Sequence, residues 1–307
     1  RTECMPFEGA SARLNEYLQW VAARVDEGLA GYLPRVQPEA RVLREAMEYS
    51  VIGAGKRLRA ALVIESAYVC GADRERAMPV ACAIEMIHAY SLIHDDLPCM
   101  DDDDYRRGKL ANHKVFGEGI AVLAGDALLT QAFWLLSTLP VVASVSWDNT
   151  VRIIQEVAQA AGAEGMVGGQ VADLDAEARP PDARLLEYIH THKTGALFRA
   201  STRAGALLAG ADGETLERLT EFAGHFGVAF QIVDDLLDVE GDPEKLGKKT
   251  GSDARQGKLT YPRLYGIERS RSMAEKHIAS AQSAIAPFGE RARILRELAQ
   301  FVAVRRA

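Results

Sequence analysis

Residues 76–104 read RAMPVACAIEMIHAYSLIHDDLPCMDDDD. Apolar side chains recur there at helical spacing from Arg76 to Leu97. The pattern stops before Pro98, because a proline disfavours helix at the residue preceding it. The same periodicity runs outward in both directions. Leu14, Leu18, Val21 and Val25 line one helical face near the start, and Ile278, Ala281 and Ile285 do so near the end. Further helices are predicted near 118–139, 148–166, 183–209, 214–239, 260–285 and 290–305. Alternating Val/Ile/Thr runs are scarce, so no strand is predicted. Gly and Pro fall mainly between these segments, and neither a linker nor a shift in composition divides them. The expectation is one all-α domain, a helical bundle spanning residues 1–307.

The chain has 307 residues, 48% of them hydrophobic and 26% charged, with a net charge of −7. That balance argues against a general nucleic-acid binder, which would carry a basic surface. An acidic protein binds an anion only through a local basic pocket or a bound cation. Four dispersed cysteines, Cys4, Cys70, Cys82 and Cys99, make neither a disulfide framework nor a zinc motif and fit a reducing cytoplasm. The chain opens at Arg1 with no signal-peptide pattern. The uncharged stretch Ala127–Trp147 contains Thr130, Gln131 and Pro140, and is read as a buried helix followed by a loop, with no transmembrane span.

Two aspartate clusters carry the chemistry. In the second, Asp234 and Asp238 lie four apart, on one helix face inside the apolar run Phe226–Val239. Like charges at that spacing repel, and an unpaired carboxylate among apolar side chains is costly. A hard cation such as Mg²⁺ resolves both problems, since it takes one or two carboxylates together with substrate phosphates. In the first cluster Asp95 and Asp101 lie six apart, about 240° on a straight helix. They meet only if the helix ends between them, and Pro98 supplies that break. Asp95 and Asp96 close an apolar helix, whereas Asp101–Asp104 alone would read as a solvated loop.

Basic residues stand close by in sequence. Gly53-Ala54-Gly55-Lys56-Arg57-Leu58-Arg59 is a flexible turn that places cations in the first turn of a helix, which the helix dipole disfavours unless an anion binds. Arg57 and Lys249 read as solvated charges. His88 lies two turns before Asp95 on about the same face, as a core histidine or a site residue. Arg106-Arg107-Gly108 follows the first aspartates, Lys193-Thr194-Gly195 sits within a helical pattern, and Gly247-Lys248-Lys249 and Gly257-Lys258 follow the second cluster.

Together these residues resemble the trans-isoprenyl diphosphate synthase (polyprenyl synthetase) family, from about Tyr49 to Pro262. Asp95-Asp96-x₄-Asp101 with Arg106-Arg107-Gly108 resembles its first aspartate-rich motif. Phe230-Gln231-x-x-Asp234-Asp235-x-x-Asp238 resembles the second, and Gly257-Lys258-x-Thr260-Tyr261-Pro262 the loop that follows. Ala54 and Ala60 stand where the family usually has Gly and Pro. The resemblance implies the type I isoprenoid synthase fold, a bundle around a deep central cavity, as a homodimer. It implies that Lys56, Arg59, His88 and Arg107 bind isopentenyl diphosphate. It assigns Mg²⁺, three ions with substrate bound, to Asp95, Asp96, Asp101, Asp234 and Asp238. Arg106, Lys193 and Lys258 would hold the allylic diphosphate, with Lys248 assisting as the loop 241–258 closes as a lid. Thr194 and Gln231 would offer oxygen dipoles to the allylic cation.

The resemblance implies that bulk at these positions limits the product to farnesyl diphosphate, with Tyr90, beside the small Ser91, as a cavity floor unless it points sideways into helix packing. The stretches Glu85–His88 and Asn112–Gly117 also resemble plant-type geranylgeranyl synthases, which makes geranylgeranyl diphosphate the alternative product. A terpene cyclase would lack the Lys56/Arg59/His88 set and the second Asp-Asp-x-x-Asp, and a non-catalytic regulatory subunit would not need two charged clusters inside apolar runs.

Overall fold

In the computed structural model, residues 9–53, 55–176, 180–240 and 258–304 are described. Helix α1 (Ala12–Tyr32) starts at Ser11, whose hydroxyl accepts the Leu14 N–H, and buries Leu14, Leu18, Val21, Val25 and Leu29. After α2 (Arg41–Val51) and α3 (Leu58–Val69) comes the central helix, α4 (Met78–Asp95), with Pro79 in its first turn. It is apolar on nearly every side and buried accordingly. Its neighbours are α1, α3 and α6 (Glu118–Ser137).

The chain continues through the short helices α5 (Asn112–Phe116) and α7 (Leu139–Val142), then α8 (Trp147–Ala161), α9 (Met166–Ala176), α10 (Ala183–Ile189) and α11 (Ala196–Ala209). The long helix α12 (Gly213–Glu240) packs on α11 and on α14 (Ile267–Ala284), while α13 (Tyr261–Tyr265) and α15 (Arg293–Val304) complete the described chain. One continuous apolar core joins side chains from α1 to α15.

The all-α expectation holds, with local corrections. The only strands among the described residues are the pair Tyr105–Arg106 and Lys109–Leu110. Arg107 and Gly108 join them with φ of 52° and 75°, the double positive φ of a two-residue hairpin turn. Helix α4 ends at Asp95, two residues before the predicted stop. The pattern predicted at 148–166 ends at Ala161 before Gly162, and the one predicted at 260–285 is interrupted at Gly266. The pattern at 183–209 contains a π-helical turn, His190–Gly195, between α10 and α11.

Helix α6, which contains the first part of the uncharged stretch, is buried on one side only. Helix α6 turns Ala121, Ala124, Leu128, Ala132 and Leu135 inward but leaves Val122, Leu123 and Trp134 outside, Trp134 being 57% exposed. It is the one helix among the described residues long and apolar enough to cross a membrane, yet its inner stripe packs on α2 and α4 as a core helix does.

Candidate active site

The end of α4 shows how the first aspartates meet. Asp96 caps the helix, and the Met100 N–H donates to the Leu97 carbonyl. The Asp101 N–H then reaches back to the Asp95 carbonyl at 2.9 Å, and Asp102 takes φ 52° to complete the reversal. Asp101 is thus folded onto the helix end beside Asp95. Burial pushes the Asp95 carboxyl up to about 6; the Lys193 charge opposes that rise and Asp101 adds to it. Lys258 lies 3.4 Å from Asp101 Oδ1. Asp96, 2% exposed, faces another way: it accepts two hydrogen bonds from Arg106, one from Nε at 2.9 Å and one from Nη2. Arg106 also reaches Asp103 at 3.3 Å. The residue expected on the metals and the residue expected on the allylic diphosphate are therefore joined to each other here.

On α12, Asp234 and Asp238 lie one turn apart, with Asp238 buried. Asp235 between them serves a structural network. Its two oxygens accept the Gln231 amide at 3.0 Å and the Tyr261 N–H at 2.9 Å, and His190 Nε2 stands 3.7 Å away. A carboxylate accepts only from the NH₂ end of an amide, so Asp235 fixes which way Gln231 points. The Gln231 carbonyl oxygen then receives the Thr194 hydroxyl at 2.8 Å.

The π-helical turn brings Lys193 and Thr194 toward this wall from consecutive positions. Lys193 Nζ pairs with Asp173 of α9 at 2.6 Å. Asp173 was absent from the sequence-based site; its only signal was a buried carboxylate in the apolar run of α9. Gly169 lets α9 approach, since a Cβ there would stand 2.2 Å from the Lys193 backbone nitrogen. Among the described residues no three acidic, histidine or cysteine groups form a ready metal cage.

The cationic side is built by α3, α4 and the hairpin. His88 Nε2 lies 3.3 Å from Arg59 Nη1 and 3.4 Å from Arg107 Nη2. Burial and then these two guanidiniums hold the imidazole well below its usual range, so it is neutral. Burial also lowers Arg59, to about 10, and its Nε–H is buried with no hydrogen-bond partner. Gly55, at φ 74°, makes room for the Arg107 guanidinium, which would lie 2.6 Å from a Cβ. The Lys56 ammonium sits 5.6 Å from the centre of the Phe301 ring. Arg59 lies 4.4 Å over Phe198, which in turn packs on Phe230, next to Gln231. Arg107, on the hairpin turn, joins His88 while Arg106, one residue earlier, goes to Asp96.

Arg57 overturns its reading as a solvated charge. It is 4% exposed and pairs with Glu85 at 2.9 Å and with Asp26 at 2.5 Å. Tyr90 is buried and packs edge-on against His94, which contacts the Val122 carbonyl of α6. The Ser91 hydroxyl donates to the His88 carbonyl. Lys248 and the proposed lid, apart from Lys258, lie outside the described residues.

The polyprenyl synthetase family model matches residues 40–290, which takes in both acidic clusters and the cationic pocket. The chain belongs to that family. Farnesyl diphosphate synthase of Geobacillus stearothermophilus is 47% identical over 273 residues, 89% of this chain and 91% of that protein. The chloroplastic heterodimeric geranylgeranyl pyrophosphate synthase large subunit 1 of Arabidopsis thaliana is 45% identical, covering 97% of this chain and 81% of its own. The solved FPP/GFPP synthase of Zymomonas mobilis superposes with a TM-score of 0.83 at 40% identity, over 95% of this chain and 99% of that one. The isoprenoid synthase fold expected from the motifs is the fold observed.

Proposed function

We propose that the protein is a Mg²⁺-dependent trans-prenyltransferase that condenses isopentenyl diphosphate with dimethylallyl and geranyl diphosphates to give farnesyl diphosphate. The observation that carries this is the pairing of two oppositely charged clusters across one wall. Arg59, His88 and Arg107 meet in one cluster, Asp95 and Asp101 meet at the end of α4 within the influence of Lys193, and Asp234 of α12 acts electrostatically on Arg59. Thr194 and Gln231 stand on α11's entry turn and α12, beside the aromatic side chains that touch Arg59.

The donor set fits Mg²⁺. Asp95 and Asp101 are brought together by the turn, and Asp95 is held by burial in a state that a nearby cation would relieve. Asp95, Asp101 and Asp234 would hold it, Asp238 standing one turn on, with substrate phosphates completing the coordination. The bound ions would neutralise charge on the leaving diphosphate. Lys193 and Lys258 supply further positive charge there.

The allylic C–O bond breaks and its electron pair leaves with the diphosphate. The double bond of isopentenyl diphosphate then forms the new C–C bond, and the departed diphosphate takes the proton that is lost. The Gln231 and Thr194 oxygens offer dipoles to the cation but no reactive nucleophile. The rings of Phe198 and Phe230, which pack on each other beside Arg59 and Gln231, would help to keep water from it.

Incubation with Mg²⁺, geranyl diphosphate and radiolabelled isopentenyl diphosphate tests the reading. Farnesyl diphosphate is expected by chromatography, and no incorporation of label would reject it. A twenty-carbon product is the second reading, favoured by the likeness to the plant protein and by Tyr90 packing against His94, which itself contacts α6. Tyr90→Ala should lengthen a fifteen-carbon product by one or more five-carbon units if Tyr90 is the floor. The outward Val122, Leu123 and Trp134 of α6 support a homodimer through that face. The free thiols of Cys70, Cys82 and Cys99 fit a cytoplasmic setting.

A further inference from the structure

The cationic pocket holds two guanidiniums against one neutral imidazole, an arrangement that repels itself until an anion arrives. Something fixed must keep it assembled. Among the described residues a buried ion pair stands close enough to do so. Arg57 sits between Lys56 and Arg59 in the left-handed region, at φ 51° and ψ 32°, a conformation a non-glycine residue adopts only under constraint. Its guanidinium donates to Glu85 Oε2 at 2.9 Å, to Asp26 Oδ1 at 2.5 Å and to the Val51 carbonyl at 2.5 Å.

Glu85, 3% exposed, uses its other oxygen to accept the Ala60 N–H at 3.2 Å. Ala60 lies in the first turn of α3, and Arg57 at the N-cap position makes no side-chain cap of its own. A carboxylate from α4 therefore takes the role that an N-cap side chain normally fills. Glu85 also stands three residues before His88, on the neighbouring turn of the same helix face. Its charge raises both Arg59 and Arg107, offsetting part of their burial.

We propose that the Arg57–Glu85 pair is the positioning element of the isopentenyl diphosphate pocket. It pins the Gly55–Arg57 turn and the first turn of α3 to α4, so that Arg59 meets His88 and Arg107 before substrate arrives. It acts through those residues and touches no substrate itself. The effect is confined to one of the two diphosphates, because the pair contacts none of Asp95, Asp101, Lys193 or Asp234. This inference rests on the assignment of that pocket to isopentenyl diphosphate.

The test is steady-state kinetics on the purified full chain, with isopentenyl and geranyl diphosphates varied in turn and thermal unfolding measured alongside. Glu85→Gln is expected to raise KM for isopentenyl diphosphate about tenfold while KM for geranyl diphosphate stays within about twofold. Arg57→Lys keeps the charge but lacks the planar fork whose separate nitrogens span Glu85, Asp26 and the Val51 carbonyl, and is expected to raise the same KM by a smaller factor. It is the variant to read if Glu85→Gln does not fold. The double variant should be no worse than Glu85→Gln alone, since both act through one pair. Equal increases in both KM values, or a lower Tm with both KM values unchanged, would overturn the proposal. Arg59→Met separates this from failure of the pocket assignment. If it raises KM for isopentenyl diphosphate while Glu85→Gln does not, the positioning role alone falls. If it leaves that KM unchanged, the pocket assignment itself falls.

Discussion

The two charged sides of the site are stabilised differently. On the acidic side carboxylates have protein partners: Asp96 has Arg106, Asp101 has Lys258, and Asp173 has Lys193. On the cationic side Arg59 and Arg107 share a neutral imidazole, and the Arg59 Nε–H has no acceptor at all. The acidic side can exchange internal partners when a ligand arrives, whereas the cationic side is left short of an anion. A rigid support matters most where the charges are least compensated, which is where Arg57 and Glu85 lie.

The largest expected effect tests the acidic side. Asp95→Ala and Asp234→Ala should each lower kcat by about three orders of magnitude, the scale of lost transition-state charge stabilisation. Their Tm should not fall, because each removes a carboxylate in a crowded acidic region. Chelation with EDTA should abolish turnover in the wild type and Mg²⁺ should restore it. Retained kcat in either variant would dissolve the contrast between the two sides.

The cationic side should respond in KM instead. Arg107→Met is expected to raise KM for isopentenyl diphosphate roughly tenfold, the loss of one charge-assisted contact, with kcat little changed. Arg106→Met should behave otherwise, because it leaves Asp96 buried without its partner, at a cost of about 3 kcal/mol in urea unfolding. Adding Asp96→Asn should recover part of that loss. If both arginine variants changed only the same KM, the division of labour across the hairpin turn would be wrong.

The effect that is smallest at neutral pH concerns a titration. Burial lowers His190 to about 4 from an ordinary value near 6.5. The folded state resists protonation there while the unfolded chain accepts it, so this contribution is complete above pH 6.5 and is lost as pH falls toward 4. The loss amounts to roughly 3 kcal/mol at most. Unfolding of His190→Gln should show a correspondingly flatter pH dependence between those limits, and identical profiles would exclude His190 as the cause.

Much of this was legible in residue order. Asp234 and Asp238 were readable because spacing of four fixes a helix face, and the fold-back of Asp101 was readable because Pro98 cannot continue a helix. The partners were not. Glu85 entered only as part of the stretch Glu85–His88 that resembles geranylgeranyl synthases, and Arg57 only as a solvated charge. Their pairing spans 28 residues and depends on how α3 meets α4, which local periodicity does not encode. A buried carboxylate in an apolar helix was the available clue, since it demands a cation. Lys193 was placed on a helix correctly, but a π turn has no recognisable local sequence pattern, and Asp173 could be matched to it only in three dimensions.

That π turn, His190–Gly195, acts as a phase shifter in the chain. An α-helix locks every residue at about 100° to the last, so a continuous helix from Ala183 to Ala209 would tie the inward face of its first half to that of its second. The wider turn inserts an angular offset between them. Helix α10 can keep Leu186 and Ile189 inward while α11 independently keeps Leu197, Ala204 and Leu208 inward. Deleting a single residue within the turn would erase the offset and rotate one half against the other. The damage would appear as misaligned apolar faces some distance from Lys193 and Thr194, in a segment whose composition had scarcely changed.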